Sequence, residues 1–352
     1  MKKVIFFTST LNIGGIERVF LNYAGLLSDK GYDVTYLVCY DGGDFFHQIP
    51  HRVALCNLGT NKLRKSLFAL ARFLKEKNPD AIIVANSATI IVYIAKLISG
   101  SNVKIIASHH NYLNVDVSSV WDTKVIWKFY NRCDAVIAIS KGIYTHLLEH
   151  GVLKKKIKLV YNPINVSEIE ILSKEKTLLF TERYILFVGR LSKVKNIAMA
   201  IRAFKLFHQK YPSYCFFIVG DGPENSYLKN LVNELELNNV VRFIGCVSNP
   251  YPYISSASLV VLSSFSEAFP TILLESLALG KTVVSTPTQG AREILDEGKL
   301  GYITKSFDDP HEFAKMVSFA IKKPFNENIL KNTVRDQYDG ANSIKELETL
   351  WN

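Results

Sequence analysis

No stretch of this 352-residue chain approaches 18 uninterrupted apolar residues, so no segment is expected to span a bilayer. Cysteine is sparse. Cys39, Cys56, Cys133, Cys215 and Cys246 form no CxxC pair and no His/Cys cluster at metal-ligand spacing, which argues against a zinc module or a disulfide scaffold and suits a reduced, cytoplasmic protein. No DxD motif is present, so no metal or other cofactor is expected to be required. The first glycine turn, Asn12 to Glu17, does not fit GxGxxG, and NAD binding is set aside. Low-complexity tracts and short-period repeats are absent. The opening MKKVIFFTST is too brief an apolar run for a signal peptide and is read as a first strand.

At 48% hydrophobic content the chain can build two domains, each with its own core. Apolar runs alternate with helical patterns. Strands are expected at Val4 to Thr10, Asp33 to Tyr40, Ala81 to Ala85, Lys104 to Ser108, Ala135 to Ile139 and Ile157 to Tyr161, with helices between them; such alternation implies a parallel sheet. The period lapses over residues 164–182, which read as a linker, and resumes at Tyr184. Strands from Tyr184, Cys215, Val240, Leu259, Thr282 and Tyr302 then make a second sheet, and the chain is helical from about Asp309. Charge is uneven. The net +10 lies wholly in residues 1–165, which hold 21 Lys and Arg against 11 Asp and Glu; residues 166–352 hold 21 of each. Its densest parts are KLRKSLFALARFLKEK at 62–77 and KKKIK at 154–158. In the first, Leu63, Leu67, Leu70 and Leu74 recur at helical spacing beneath the charges. Such a helix suits lying on anionic lipid, holding a lipid diphosphate, or packing its leucines on the sheet with a solvated basic back.

The strand Leu259 to Leu262 leads into SSFSEAFPTILLES, where Glu267 precedes and Glu275 follows a helix start near Pro270. Glu267 sits in the strand-to-helix loop and Glu275 about 8 Å along the helix axis, so the two acids can grip different parts of one ligand. Free backbone N–H groups over the stretch Ala268 to Thr271, proline excepted, and the positive dipole end between the acids favour an anion such as a diphosphate. Dipole partners or solvated acids would look the same in isolation. A basic element supports the ligand reading: in YILFVGRLSKVKN a strand ends at Gly189-Arg190, and Lys195 follows after a short loop. A guanidinium fork and a compact ammonium at a strand's carboxyl end suit a pyrophosphate.

These residues resemble the retaining nucleotide-sugar glycosyltransferases of the GT-B class, glycosyltransferase family 4. The resemblance spans nearly the whole chain through GGIERVFLNYA at 14–24, His109-His110, AVIAIS at 135–140, VYNPI at 160–164, VGRLSKVKN, IVGDGPENSYL and Glu-x7-Glu. It implies an α/β architecture of two Rossmann-like domains facing a central cleft, with a C-terminal helix crossing back to the first domain. The boundaries expected are an acceptor-binding domain at 1–165, a nucleotide-sugar donor-binding domain at 166–335, and the returning helix at 336–352.

Roles follow from the resemblance. Gly14 and Gly15 lie against the donor diphosphate; Arg190 and Lys195 stabilise the leaving diphosphate in place of a metal; Gly220 lets backbone approach the nucleotide. Glu267 accepts from donor-sugar hydroxyls, and Ala268, Phe269, Pro270 and Thr271 contact sugar and phosphate. Glu275 clasps the ribose diol. His110 contacts the sugar near its reacting carbon, while His109 and Asn111 are candidates for the acceptor side; Asp221 reads as a turn former. Ala268-Phe269-Pro270 stands where many relatives have Gly-Phe-Gly. Pro-Thr forms occur in bacterial enzymes that build lipid-linked oligosaccharides, which points to a hexose or N-acetylhexosamine donor, UDP-linked, and a polyprenol-diphosphate-linked or capsule glycan acceptor. The expected setting is the inner face of the cytoplasmic membrane, with an anionic membrane surface as partner and no nucleic acid. The aromatic segment Tyr112 to Tyr130 is expected to line the acceptor groove, touch the membrane or pack in the core. Rival readings are a GT-B nucleotide-sugar epimerase or phosphorylase and a non-catalytic partner of another transferase.

Overall fold

Strands form where β-branched and aromatic residues run without interruption, because a parallel sheet covered on both faces buries every position. The computed structural model describes residues 1–351 apart from 13, 41, 113–119 and 176–181. It divides into two units, Met1–Ile164 with Asp339–Asn352, and Asn165–Tyr338.

The first unit runs β1 (Lys3–Thr8), α1 (Gly15–Asp29), β2 (Asp33–Val38), β3 (Ala54–Asn57), α2 (Leu67–Lys77), β4 (Ala81–Ala85), α3 (Ala88–Ser99), β5 (Lys104–His109), α4 (Val120–Tyr130), β6 (Ala135–Ala138), α5 (Lys141–Glu149) and β7 (Ile157–Leu159). Its parallel sheet has the order β3-β2-β1-β4-β5-β6-β7. Val4, Phe6, Phe7, Ile82, Val84 and Ile106 are completely buried at its centre. Ala54–Asn57 is an edge strand that its own sequence does not announce: four residues, half-exposed, paired among the described residues with β2.

The second unit runs α6 (Val166–Leu172), β8 (Arg183–Val188), α7 (Ile197–His208), β9 (Tyr214–Val219), α8 (Asn225–Glu234), β10 (Val241–Gly245), α9 (Tyr251–Ser256), β11 (Leu259–Leu262), α10 (Thr271–Ala278), β12 (Val283–Ser285), α11 (Gln289–Ile294), β13 (Tyr302–Ile303), α12 (Pro310–Lys322) and α13 (Glu327–Tyr338). The sheet order is β10-β9-β8-β11-β12-β13, again parallel. Phe187, Phe207, Phe216 and Phe313 anchor its core between the sheet and α7 and α12.

Part of the expected linker is therefore a helix. Asn165 caps α6 by accepting from Glu168 N (3.1 Å), Val166 and Ile169 are buried, and Arg335 pairs with Glu170 from α13. Two turns are too short to show a period in sequence; residues 176–181 of that stretch lie outside the described residues. The chain leaves the second unit at Tyr338, three residues later than expected. Asp339 then caps α14 (Gly340–Glu348), which packs on α1 of the first unit. Gly340 N donates to Ile164 O (2.9 Å), and a Cβ there would lie 2.3 Å from Leu26 Cδ1, so a side chain at 340 requires the leucine to move. Lys30 Nζ meets Glu348 at 3.0 Å, Tyr32 donates to the same carboxylate, and Trp351 packs edge-on against Tyr32. Among the described residues no helix is long and apolar enough to cross a membrane.

Candidate functional site

Both sheets change winding direction between two central strands, and ligands of open α/β sheets settle outside the carboxyl ends at that point. In the second unit the point lies between β8 and β11, which are paired neighbours. Arg190 and Lys195 follow β8; Glu267 follows β11. Seventy-two residues apart in sequence, Lys195 Nζ and Glu267 Oε1 meet at 2.5 Å, with 23% and 13% of their side-chain surfaces exposed. Ser264 Oγ donates to the same Glu267 oxygen at 2.6 Å. The backbones are fastened too: Ser263 Oγ donates to Lys195 O (2.7 Å), Phe265 N to Val194 O (2.8 Å), and Thr286 Oγ1 to Ser264 O (2.6 Å). Asn196 holds the far side of the lysine loop through Phe307 O and Asp308. The ammonium and carboxylate are thus presented by rigid strand-end loops, a prerequisite for electrostatic preorganisation.

Arg190 stands beside this pair in sequence but apart from it chemically. It is exposed, and among the described residues its guanidinium has no ion-pair partner. Its loop is shaped by two glycines. Gly189 has φ +154°, and a Cβ on Gly220 (φ +131°) would lie 2.0 Å from Gly189 O, so the loops after β8 and β9 touch backbone to backbone. Asp221 accepts from Gly222 N (2.7 Å) and Asn225 Nδ2 (2.6 Å), contacts that hold its carboxyl below the usual range and occupy it in a turn.

Helix α10 begins at Thr271, with Pro270 as its cap residue and not inside the first turn. No side chain caps it and no acid lies in its first turn. Phe269 is buried against Tyr338. Ala268 and Thr271 are half-buried, as is Glu275 one turn into the helix. Gly290 N donates to Glu267 O (3.1 Å), and a Cβ on Gly290 would lie 2.7 Å from Ala268 carbonyl atoms. Ser263, Ser264, Thr286 and Gly290 were given no role in the sequence reading. The small polar pair directly after an apolar strand was the signal available for the serines; Gly290 had none, because its partner loop lies more than twenty residues away.

In the first unit the switch lies between β1 and β4. Gly14 precedes α1, and Glu17, which the sequence reading passed over, folds back over it: a Gly14 Cβ would lie 2.2 Å from Glu17 Oε2. Burial raises the Glu17 carboxyl, and this acid occupies the helix end expected for phosphate. Gly15 has open space where a Cβ would be.

The pleat of β5 sends His109 and His110 to opposite faces. His110 Nε2 lies 2.8 Å from Ser108 Oγ, its ring stands edge-on to Phe20 of α1, and 5% of its surface is exposed. His109 has no exposed surface. Its Nδ1 lies 3.0 Å from Tyr130 Oη, and its ring is walled by Trp127, Tyr130 and His146. The His109 side chain, expected on the acceptor side, faces α4 and α5, because the next residue claims the α1 face. Asn111 is exposed. Of the aromatic segment, Ile126, Trp127 and Tyr130 pack in the core, and residues 113–119 lie outside the described residues.

Burial depresses both His109 and His110 to about 3. Below pH 6.5 the unfolded chain therefore binds protons that the native state refuses, and stability falls with pH. For two such imidazoles the loss is about 4 kcal/mol at pH 5 relative to neutrality, a large part of a typical domain's stability. We expect the melting temperature to drop steeply from pH 7 to 5; a flat profile would show that neither ring is buried neutral.

Residues 13–168 match the family model described as Glycosyltransferase Family 4, and residues 169–337 match that of Glycosyl transferases group 1. A Campylobacter jejuni relative, an alpha-1,4-N-acetyl-D-galactosaminyltransferase named for a diNAcBac-PP-undecaprenol-linked substrate, is 29% identical, covering 96% of this chain and 92% of its own. An uncharacterised glycosyltransferase of Haemophilus influenzae is 26% identical over 92% of both chains. Among solved structures, Anabaena HepE in complex with UDP-glucose superposes with a TM-score of 0.83 over 99% of both chains at 22% identity. Two parallel-sheet units, a returning C-terminal helix and matches spanning 13–337 lead to one assignment: the chain belongs to the GT-B glycosyltransferases of family 4.

Proposed function

We propose that this glycosyltransferase moves a hexose or N-acetylhexosamine from a UDP-sugar to a polyprenol-diphosphate-linked or related envelope glycan at the inner membrane face, with retention and without a metal ion. The observation that carries the reading is the Lys195–Glu267–Ser264 constellation beside the uncapped start of α10. Lysine and the helix end would receive the diphosphate, Arg190 would add a planar fork, and Glu267 would accept from sugar hydroxyls. Glu275 would take the ribose diol, since two carboxylate oxygens suit two neighbouring hydroxyls. His110, facing α1, is assigned to the sugar near its anomeric carbon.

In this scheme the bond from the anomeric carbon to phosphate breaks as the acceptor oxygen bonds to the same face. The departing phosphate oxygen takes the acceptor proton, so no protein nucleophile is needed. The lipid-linked acceptor and amino-sugar donor are supported by two C. jejuni relatives named as N-acetylgalactosaminyltransferases acting on undecaprenol-diphosphate-linked sugars. UDP is our choice of nucleotide.

Thermal stabilisation by UDP-, GDP- and ADP-sugars, with chelator present, tests this. At about a hundred times Kd the UDP series should add close to 3 kcal/mol, about 5 °C or more. Stabilisation only after metal is restored would remove metal independence, and no shift with any donor would move the reading to a non-catalytic partner. Release of a free epimerised sugar would point to an epimerase.

A further inference from the structure

At the carboxyl edge of the first sheet one acid has no counter-charge. Helices of a parallel sheet run against its strands, so the first turn of α1, residues 15–18, stands at that edge, where the winding changes between β1 and β4. Glu17 is half-buried there and has no ion-pair partner among the described residues. Its neighbour Arg18 is turned to Phe45 instead, 4.4 Å from the ring centre. The carboxylate accepts from its own backbone N–H, and no other donor reaches it among the described residues. Withdrawing a charge from water costs free energy that no protein group offsets here. Gly14 shows that this placement is part of the design of the turn. Its φ of −161° and ψ of 157° are extended backbone that any residue adopts, so conformation does not demand a glycine. The three nearest atoms that a Cβ would meet all belong to the Glu17 carboxyl group. The absent side chain makes room for an acid, not for a phosphate. Phe20, one turn on and on the same side of α1, carries the His110 ring edge-on at 5.9 Å.

We propose that Glu17 binds the acceptor: its carboxylate accepts a hydrogen bond from one hydroxyl of the acceptor sugar and so fixes which neighbouring oxygen is presented for attack. The inference deepens the proposed function and rests on it. There the diphosphate and the donor sugar are taken by Lys195, Arg190 and Glu267 of the second unit, which leaves the edge that carries Glu17 and His110 to the other substrate. A diphosphate at the start of α1 would meet the Glu17 charge at close range, so the group that fits carries no negative charge and donates hydrogen. Of the groups the proposed reaction brings, sugar hydroxyls meet both conditions. An ionised carboxylate has two oxygens that accept and none that donates, so it holds a hydroxyl by its hydrogen. The proton of the attacking oxygen still passes to the departing phosphate, and Glu17 keeps its charge throughout. An acid that only steadies the positive end of α1 would occupy the same place. The two roles differ in what is lost with the carboxylate.

Hydrolysis of UDP-N-acetylgalactosamine and UDP-glucose needs no acceptor, whereas transfer to farnesyl-diphosphate-linked N-acetylhexosaminyl disaccharides does, and the pair of rates separates the two substrates. Glu17→Gln should lower kcat/KM for the disaccharide about tenfold and Glu17→Ala about a hundredfold, while hydrolysis and UDP affinity stay within about twofold of wild type. Gly14→Ala displaces only the far end of a flexible side chain. It should therefore keep the wild-type melting temperature, lower transfer about tenfold or more, and add nothing when combined with Glu17→Ala. Tighter UDP binding by Glu17→Gln, or weaker UDP binding by Gly14→Ala, would overturn the inference, since either places the diphosphate at this turn. Unchanged transfer in Glu17→Ala with a lowered melting temperature would overturn it too, leaving the acid as a helix cap. Absence of both hydrolysis and transfer in the wild type would count against the proposed reaction. Titration of the disaccharide into wild type and Glu17→Ala then still decides the acid's role: weaker binding by the variant supports it, and equal affinity overturns it.

Discussion

Arg190→Ala is expected to lower turnover roughly a hundred- to a thousandfold while leaving the ligand-free protein as stable as the wild type. The two halves of that expectation have separate causes. Arg190 is exposed and has no ion-pair partner among the described residues, and surface changes of this kind stay within about 0.5 kcal/mol. Gly189 and Gly220, not the arginine side chain, shape the loop that carries it. Its proposed work begins only when a diphosphate accumulates charge, so its loss should appear in kcat and in transition-state affinity. Arg190→Lys keeps the charge and loses the planar fork, and should recover part of the rate. Steady-state kinetics beside a thermal melt decide the matter; wild-type turnover in Arg190→Ala would remove the arginine from the scheme.

The second large effect is a split between binding and rate in Glu267→Gln. Lys195 and Glu267 hold one another at 2.5 Å, yet the proposed function assigns the lysine to diphosphate and the carboxylate to sugar. Donor entry must then draw Lys195 away from its partner. A glutamine keeps the size and can still accept from Ser264, but removes the competing charge. UDP alone should therefore bind as well as to wild type or up to about tenfold tighter, while turnover on the UDP-sugar falls roughly a hundred- to a thousandfold. Lys195→Met should do the reverse to UDP, weakening it, and should also destabilise the protein by leaving a mostly buried carboxylate unpaired. Calorimetric titration with UDP, set beside turnover, reads both. Parallel loss of UDP affinity and rate in Glu267→Gln would mean that the carboxylate only positions the lysine.

Much of this molecule is local and so could be read along the chain. Val4 to Phe7, Ile82 to Val84 and Leu259 to Leu262 are uninterrupted apolar runs, and their spacing with helical stretches between them announces parallel sheets. Arg190, Lys195 and Glu267 were legible as candidates because charged residues placed directly after buried strands must emerge at a sheet edge. What escaped was short or distant. Helix α6 has two turns and two buried apolar residues, too few to set a period. Gly290 looks like any loop glycine until the carbonyl of Ala268 is found 2.7 Å from where its Cβ would be.

The sequence by itself determined two α/β units, the parallel sense of their sheets, the strand ends at which charge collects and the concentration of positive charge in the first half, because each depends on neighbours within about one helical turn or one strand. Tertiary structure decided the rest. Strand order put β11 beside β8, joining Glu267 to Lys195 across 72 residues that no local pattern links. Packing of α1 on one face of β5 and of α4 and α5 on the other separated two adjacent histidines, sending His110 toward α1 and enclosing His109 among aromatic rings. Periodicity marks alternate faces of a strand; only the elements packed on each face decide what those side chains meet.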